Sequence, residues 1–202
     1  MKFINPQIVQ DLAQGQLLKL NLGSGLKPRK GYYSVDHLQL EGVDVVADLN
    51  KPLDLIPDSS VISIYSHHVF EHIDEFLLLM REIHRIASPT ATIEIIVPHF
   101  SNVLAYSDPT HLRFFGFYSM YYFVSPENQP DIRKVPAFYS DTRFEVDSVR
   151  IEFYNTGYID KIFSPIFSTL VNINIKWQYF YERRLSNLFH AWQIRYIMRP
   201  SK

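Results

Sequence analysis

The chain has 202 residues, 47% of them hydrophobic and 20% charged, and a formal net charge of −1. This describes a single globular domain large enough to bury a core. The near-zero charge argues against a general nucleic-acid binder, and the absence of cysteine removes disulfides and thiolate metal sites.

The opening MKFINPQIVQDLAQGQ lacks the apolar core of a signal peptide, and no window holds 18 uninterrupted apolar residues. A cytoplasmic protein without a spanning helix is therefore expected. Residues 5–15 read as a short leading helix. LLKLNLG (Leu17–Gly23) alternates and stops at glycine, which predicts a first strand. YYSVDH (Tyr32–His37) and VDVVADL (Val43–Leu49) predict a second and a third. NKPLDLIPDSS reads as a loop, and VISIYS (Val61–Ser66) as a β-branched fourth strand. Residues 74–87 carry helical periodicity, with Asp74 as N-cap. SPTA is expected to break that helix before a fifth strand, TIEIIVP (Thr92–Pro98). Beyond residue 100 the pattern loosens. RFEVDSVRIEFY (Arg143–Tyr154) reads as a strand, 166–190 as helical, aromatic and basic, and QIRYIMR (Gln193–Arg199) as a closing strand.

Strands alternating with helical or loop segments predict a mostly parallel α/β sheet, whose ligands sit beyond the carboxyl ends of the strands. Gly23–Gly25, Asp36, Asp48, the run 66–72 and 98–100 occupy those ends. A glycine turn lets backbone amides approach a ligand, and a carboxylate ending the second strand can accept bonds from both ribose hydroxyls. Each feature alone matches an ordinary turn or a solvated acid. Three at successive strand ends point to an adenosine. A dinucleotide fits poorly, because the third glycine of G-x-G-x-x-G is replaced by Pro28. The 10 residues between Gly25 and Asp36 also leave no room for a proper helix facing a pyrophosphate.

LNLGSG, VDVVADLNKPL, HHVFEH, LMREIHRIASPTATIEIIVP and DPTHLRFF together resemble class I S-adenosylmethionine-dependent methyltransferases of the type 11 kind, from about Leu17 to Phe115. The resemblance implies a Rossmann-like, seven-stranded α/β sheet, mostly parallel with an antiparallel last strand and helices on both faces. It implies one domain over 1–202, with insertions at about 100–142 and 155–191 forming an acceptor lid or interface. It also implies S-adenosylmethionine as cofactor. Leu22, Gly23, Ser24 and Gly25 would line its methionine part, Asp36 and His37 its ribose, and Asp48 and Leu49 its adenine. Ser66, His67 and His68 would face the sulfonium and the acceptor. The usual G-C-G is G-S-G, and the usual K-P-G-G turn is SPTA.

Six of the 8 histidines lie between positions 67 and 111. HVFEH places His68, Glu71 and His72 at i, i+3 and i+4, one turn if helical, and His111 follows on the same sheet edge. Imidazoles with a carboxylate suit a divalent metal, so His68, Glu71, His72 and His111 form a candidate ligand set. The pattern resembles E-x-x-E-H of metal-dependent ubiquinone-pathway and small-RNA methyltransferases, with His68 in place of the first Glu. The simpler reading is acid–base chemistry, with His111, then His68, deprotonating a hydroxyl acceptor.

The expected acceptor is a small molecule or saccharide. The aromatic C-terminal segment suits a lid, a homodimer interface, a face resting on anionic lipid, or simple cover for the sheet. Three rival functions are a metal-dependent RNA 2′-O-methyltransferase, a non-catalytic binding module of the same fold, and an NAD-linked oxidoreductase.

Overall fold

The computed structural model describes all 202 residues, apart from the side chain of Ile159. Eight strands form one sheet: β1 (Lys2–Phe3), β2 (Leu18–Leu22), β3 (Tyr33–Asp36), β4 (Val45–Val46), β5 (Val61–His67), β6 (Ala87–Pro98), β7 (Phe144–Phe153) and β8 (Ala191–Pro200). Their order across the sheet is β1-β4-β3-β2-β5-β6-β8-β7. Strands β2 to β6 are mutually parallel. Strand β8 runs antiparallel between β6 and β7, and β1 pairs antiparallel with β4 at the far edge. The sheet is Rossmann-like, with the expected antiparallel last strand. The eighth strand comes from Lys2–Phe3, too short to leave a periodic signal.

Consecutive buried residues mark the central strands: Leu20–Asn21–Leu22 and Ile95–Ile96–Val97–Pro98 have no exposed member. Successive side chains point to opposite faces, so both faces are covered there, as parallel sheets require. Cover comes from four helices: α1 (Gln7–Ala13), α2 (Phe76–Ile86), α3 (Tyr158–Val171) and α4 (Ile175–Arg184). Helix α2 buries Leu79, Met80, Ile83 and Ile86 along one stripe, and each such side chain contributes about 1.5–3 kcal/mol when fully buried.

Four boundaries differ from the sequence reading. Helix α2 begins at Phe76, with Glu75 rather than Asp74 at the cap; Asn50 accepts the Glu75 amide at 3.0 Å, and Lys202 donates to the Arg85 and Ala87 carbonyls at the other end. SPTA is no separating turn. It belongs to β6, which starts directly after α2 and slips register against β5 between Val61 and Ser63. The extra residues bulge out, so no glycine-bearing turn is needed. The third predicted strand, Val43–Leu49, shrinks to Val45–Val46, leaving Asp48 in a turn. The single helix expected over 166–190 is two helices, beginning at Tyr158 and broken at Asn172–Asn174. The asparagines there both cap and divert the backbone: Asn174 accepts from the Trp177 amide, and Asn172 bonds both ways with Ile151.

Between β6 and β7 the chain runs in short 3₁₀ turns, among them Val103–Tyr106 and Ser119–Phe123. Phe117, Tyr121, Val124 and Val135 form a second small core there, packed beside Val146 and Val149 of β7. In the C-terminal segment Tyr181 and Tyr196 are buried, whereas Tyr158, Phe163, Trp177, Phe180 and Phe189 are exposed. None of the helices is long and apolar enough to cross a membrane among the described residues.

Candidate functional site

The chain leaves β2 for β3 and β4 on one side and returns to β5 and β6 on the other. The strand order thus reverses between β2 and β5, and the crevice outside their carboxyl ends is where such sheets bind ligands. A cleft of about 730 Å³ lies there, lined by Gly23, Asp36, His37, Ala47, Asp48, Leu49, Asn50, His68, Val69, His72, Ile73 and Thr110. Its volume suits a ligand of cofactor size. Its lining contains two aspartates and no lysine or arginine. Lys51, beside the lining residue Asn50, is drawn onto Asp48 at 3.3 Å.

The loop from β2 to β3 holds no helix. Gly23 and Gly25 take φ of +64° and +52°. A Cβ at Gly23 would lie 2.3 Å from Val69 Cγ2, so the close approach at this glycine is to the protein itself. Gly25 faces open space, and its amide donates to Asp36 Oδ2 at 2.9 Å. Asp36 Oδ1 accepts from the Leu38 amide at 3.1 Å and lies 3.1 Å from His37 Nδ1. A carboxylate offers about four lone-pair sites, so Asp36 ties the glycine loop to β3 and keeps capacity for a ligand hydroxyl.

Of the ten residues the resemblance assigns to the cofactor, Gly23, Asp36, His37, Asp48 and Leu49 line the cleft. Leu22 and Ser66 are fully buried, with the Ser66 hydroxyl turned to the Leu22 carbonyl at 3.4 Å. Ser24 is buried, Gly25 is held on Asp36, and His67 is exposed on the outer side of the strand end.

His68 takes φ of +55°, a left-handed conformation that histidine adopts more readily than most residues. This twist sends its ring away from Glu71 and towards Gln193, 3.0 Å from Oε1. The indole N–H of Trp192 also donates to that oxygen, at 2.7 Å, and Gln193 Nε2 donates to Glu152 at 2.6 Å. An oxygen so oriented only accepts, so His68 carries its proton on Nε2 and leaves Nδ1 bare. Burial and the neighbouring His67 push its pKa down to about 4, against the Gln193 bond, which raises it.

Glu71 and His72 belong to a short 3₁₀ turn, Phe70–His72, and the Leu112 amide donates to the Glu71 carbonyl at 2.8 Å. That bond brings the 108–112 turn alongside. One ligand atom from each of Glu71, His72 and His111 lies within 4.8 Å of the other two. His68 is not in that group, because the 3₁₀ turn starts only after its left-handed residue. Glu71 is 1% exposed, and neither carboxylate oxygen has a hydrogen-bond partner. Burial pushes its pKa up to about 7. His99 lies apart. It is fully buried, accepts the Ser101 amide at Nδ1 and bonds Glu182 of α4 through Nε2 at 3.0 Å.

Sequence reasoning did not single out Val69, Thr110 or Gln193. The first two fell inside quoted motifs with no chemistry assigned to them. Gln193 opens an antiparallel strand, and such a strand begins at the edge where its parallel neighbours end, which is the signal that could have found it.

No protein-family model matches the sequence, and no curated protein matches it. Solved structures do. YcgJ of Bacillus subtilis is similar at 12% identity, over 97% of this chain and 97% of its own, with a TM-score of 0.53. A candidate methyltransferase of Bacillus halodurans is similar at 10% identity, over 96% of each chain, also at 0.53. An S-adenosylmethionine-dependent methyltransferase of Archaeoglobus fulgidus aligns at 17% identity over 97% of this chain and 91% of its own, with a TM-score of 0.49. At such identities the likeness is one of fold, and the fold is that of the class I methyltransferases.

Proposed function

We propose that the protein transfers a methyl group from S-adenosylmethionine to a hydroxyl of a small molecule or saccharide. The observation that carries this reading is the acidic, helix-free cleft at the point where the strand order reverses. A nucleotide with phosphates wants amides at a helix N-terminus and basic side chains. This cleft offers Asp36 and Asp48 without a cation of its own, which favours a ligand that combines ribose hydroxyls with a sulfonium and an ammonium. Asp36 would hold the ribose, and Asp48 and Leu49 would flank the adenine.

In the transfer, an acceptor oxygen attacks the methyl carbon as the carbon–sulfur bond breaks and its electron pair returns to sulfur. The hydroxyl proton must then leave. Of the two histidines considered as bases, His68 lines the cleft and has a bare Nδ1. Its weak basicity suffices, because the protonated ether formed by methyl transfer is far more acidic than imidazolium. The 3₁₀-turn region 100–142 and the α3–α4 pair would cover the acceptor side.

Calorimetric titration of S-adenosylhomocysteine, run in a chelator, tests the reading. Micromolar binding is expected, and Asp36→Ala should weaken it at least about tenfold, roughly 1.4 kcal/mol. Absence of binding by the folded protein would move it to the non-catalytic module of the same fold.

A further inference from the structure

We infer that Glu71, His72 and His111 form a binding site for a divalent first-row transition ion, open towards the cleft. The inference extends the proposed function by adding a ligand to the same site, but its geometry stands apart from that reading.

The arrangement of hydrogens carries it. Thr110 Oγ1 donates its proton to Asp108 Oδ1 at 2.6 Å, so the 2.9 Å contact between that oxygen and His72 Nδ1 requires the imidazole to be the donor. His111 Nδ1 donates to the Ala105 carbonyl at 2.7 Å. Both rings therefore have Nδ1 protonated by their surroundings, which in the neutral tautomer leaves Nε2 as the lone pair. This is how ligating histidines are oriented in metal sites, by a backbone carbonyl or a polar side chain on the other nitrogen. The Nε2 of His111 lies 4.0 Å from Glu71 Oε1 and 3.8 Å from Asp108 Oδ2, so it faces the same space as the two carboxylates.

Glu71 is the independent sign. A buried carboxylate with no donor on either oxygen is costly, and in native folds such groups are paired, hydrogen-bonded or bound to a metal. The imidazole facing it, His111, stands with Nε2 4.0 Å from Oε1, beyond hydrogen-bond reach. A cation supplies what the fold omits.

Ligand atoms around one ion at about 2.1 Å lie roughly 3–3.4 Å apart, so the trio closes by about an ångström on binding. Small side-chain rotations achieve that. Two imidazoles and one carboxylate without thiolate suit Mn²⁺, Co²⁺, Fe²⁺ or Zn²⁺ better than Ca²⁺ or Mg²⁺. Three protein ligands leave positions for water or an acceptor oxygen. His72 and Thr110 both border the cleft, so those positions open into it.

The test is titration of Co²⁺, then Mn²⁺ and Zn²⁺, into chelator-stripped protein without cofactor, followed by calorimetry and the visible absorption of bound Co²⁺. One ion should bind per chain, with a d–d spectrum of nitrogen and oxygen ligation and a rise in melting temperature. Glu71→Gln should lower the affinity by about a hundredfold, while the metal-free protein melts higher than wild type, because an uncompensated buried charge is gone. A merely structural glutamate would show loss of both. His111→Ala should also lose the ion and provides a second reading if Glu71→Gln fails to fold. No saturable Co²⁺ binding below about 1 mM, or binding unchanged in both variants, overturns the site. S-adenosylhomocysteine binding in chelator is unaffected by that failure, so the two proposals fall separately.

Discussion

Gly23 is the position where sequence, backbone and cleft meet most tightly, and Gly23→Ala is the sharpest perturbation of the fold's reasoning. Two costs arise. The backbone at φ +64° is left-handed, which costs an alanine about 1–2 kcal/mol. The new methyl would also sit 2.3 Å and 2.8 Å from the two methyls of Val69, an overpacking worth about 1–3 kcal/mol. Together the single variant should lose about 2–5 kcal/mol. Val69→Ala alone removes two half-buried methyls, about 1–1.5 kcal/mol. The double variant removes the two methyl clashes but keeps the left-handed strain and a tight 3.1 Å approach to the Cβ at position 69. It should therefore be destabilised by less than the sum, with a favourable coupling of about 1–3 kcal/mol. Urea unfolding of the four proteins reads the cycle. Strict additivity would show that Gly23 is demanded by its dihedral alone, and the close packing of β2 on the β5 end would lose its claimed role.

Three further outcomes are expected. Glu82 of α2 accepts the Leu53 amide at 2.7 Å and two bonds from Arg85, which also donates to the carbonyls of Leu53 and Ile56; Glu82→Gln should cost about 2–3 kcal/mol. The Arg85 guanidinium holds the Glu82 carboxyl below its usual range, so its stabilisation is complete above the unfolded value of about 4.3 and disappears as pH falls through the lower folded value. Acid titration of wild type should show a steeper loss than the variant, and parallel curves would refute the ion pair's role. His99→Phe strands the buried Glu182 contact and should cost about 2–4 kcal/mol in thermal unfolding, while leaving the dissociation constant for S-adenosylhomocysteine unchanged; a changed constant would put His99 in the site. Gln193→Leu removes the acceptor that fixes the His68 tautomer, so turnover should fall with cofactor affinity preserved, and equal turnover would remove His68 as base.

The sheet was legible because its signals are local. Leu18–Leu22 and Val61–His67 are β-branched or alternating runs stopped by glycine or a polar cluster, and they lie within a residue of the expected strands; Thr92–Pro98 matches at its end, but its strand begins earlier, at Ala87. The acids at strand ends were legible for the same reason: once the strands are placed, so are their carboxyl ends. The misreadings came where tertiary pairing overrides propensity. SPTA looks like a breaker yet is carried within β6: Ala87 and Thr92 on either side of it pair with Val61 and Ser63 of β5, and Ser88–Ala91 bulge between those two pairs. Lys2–Phe3 becomes a strand only because β4 has a free edge.

The histidine cluster shows where spacing stops being informative. The sequence offered His68, Glu71 and His72 as one helical turn, and a helix would have made them converge. A single left-handed residue at His68 breaks that geometry. It hands His68 to Gln193, on a strand 125 residues away, and leaves Glu71 and His72 to meet His111 instead. What distinguishes Glu71 from the other acids of the chain is that neither oxygen has a hydrogen-bond partner at 1% exposure, a property no sequence window contains. Local consistency favours a leucine or a paired carboxylate at such a position. That the fold spends stability on an uncompensated glutamate beside two oriented imidazoles is a reason to look for a cation, and the opposed response of Glu71→Gln in stability and in Co²⁺ affinity is what separates a site from a flaw in packing.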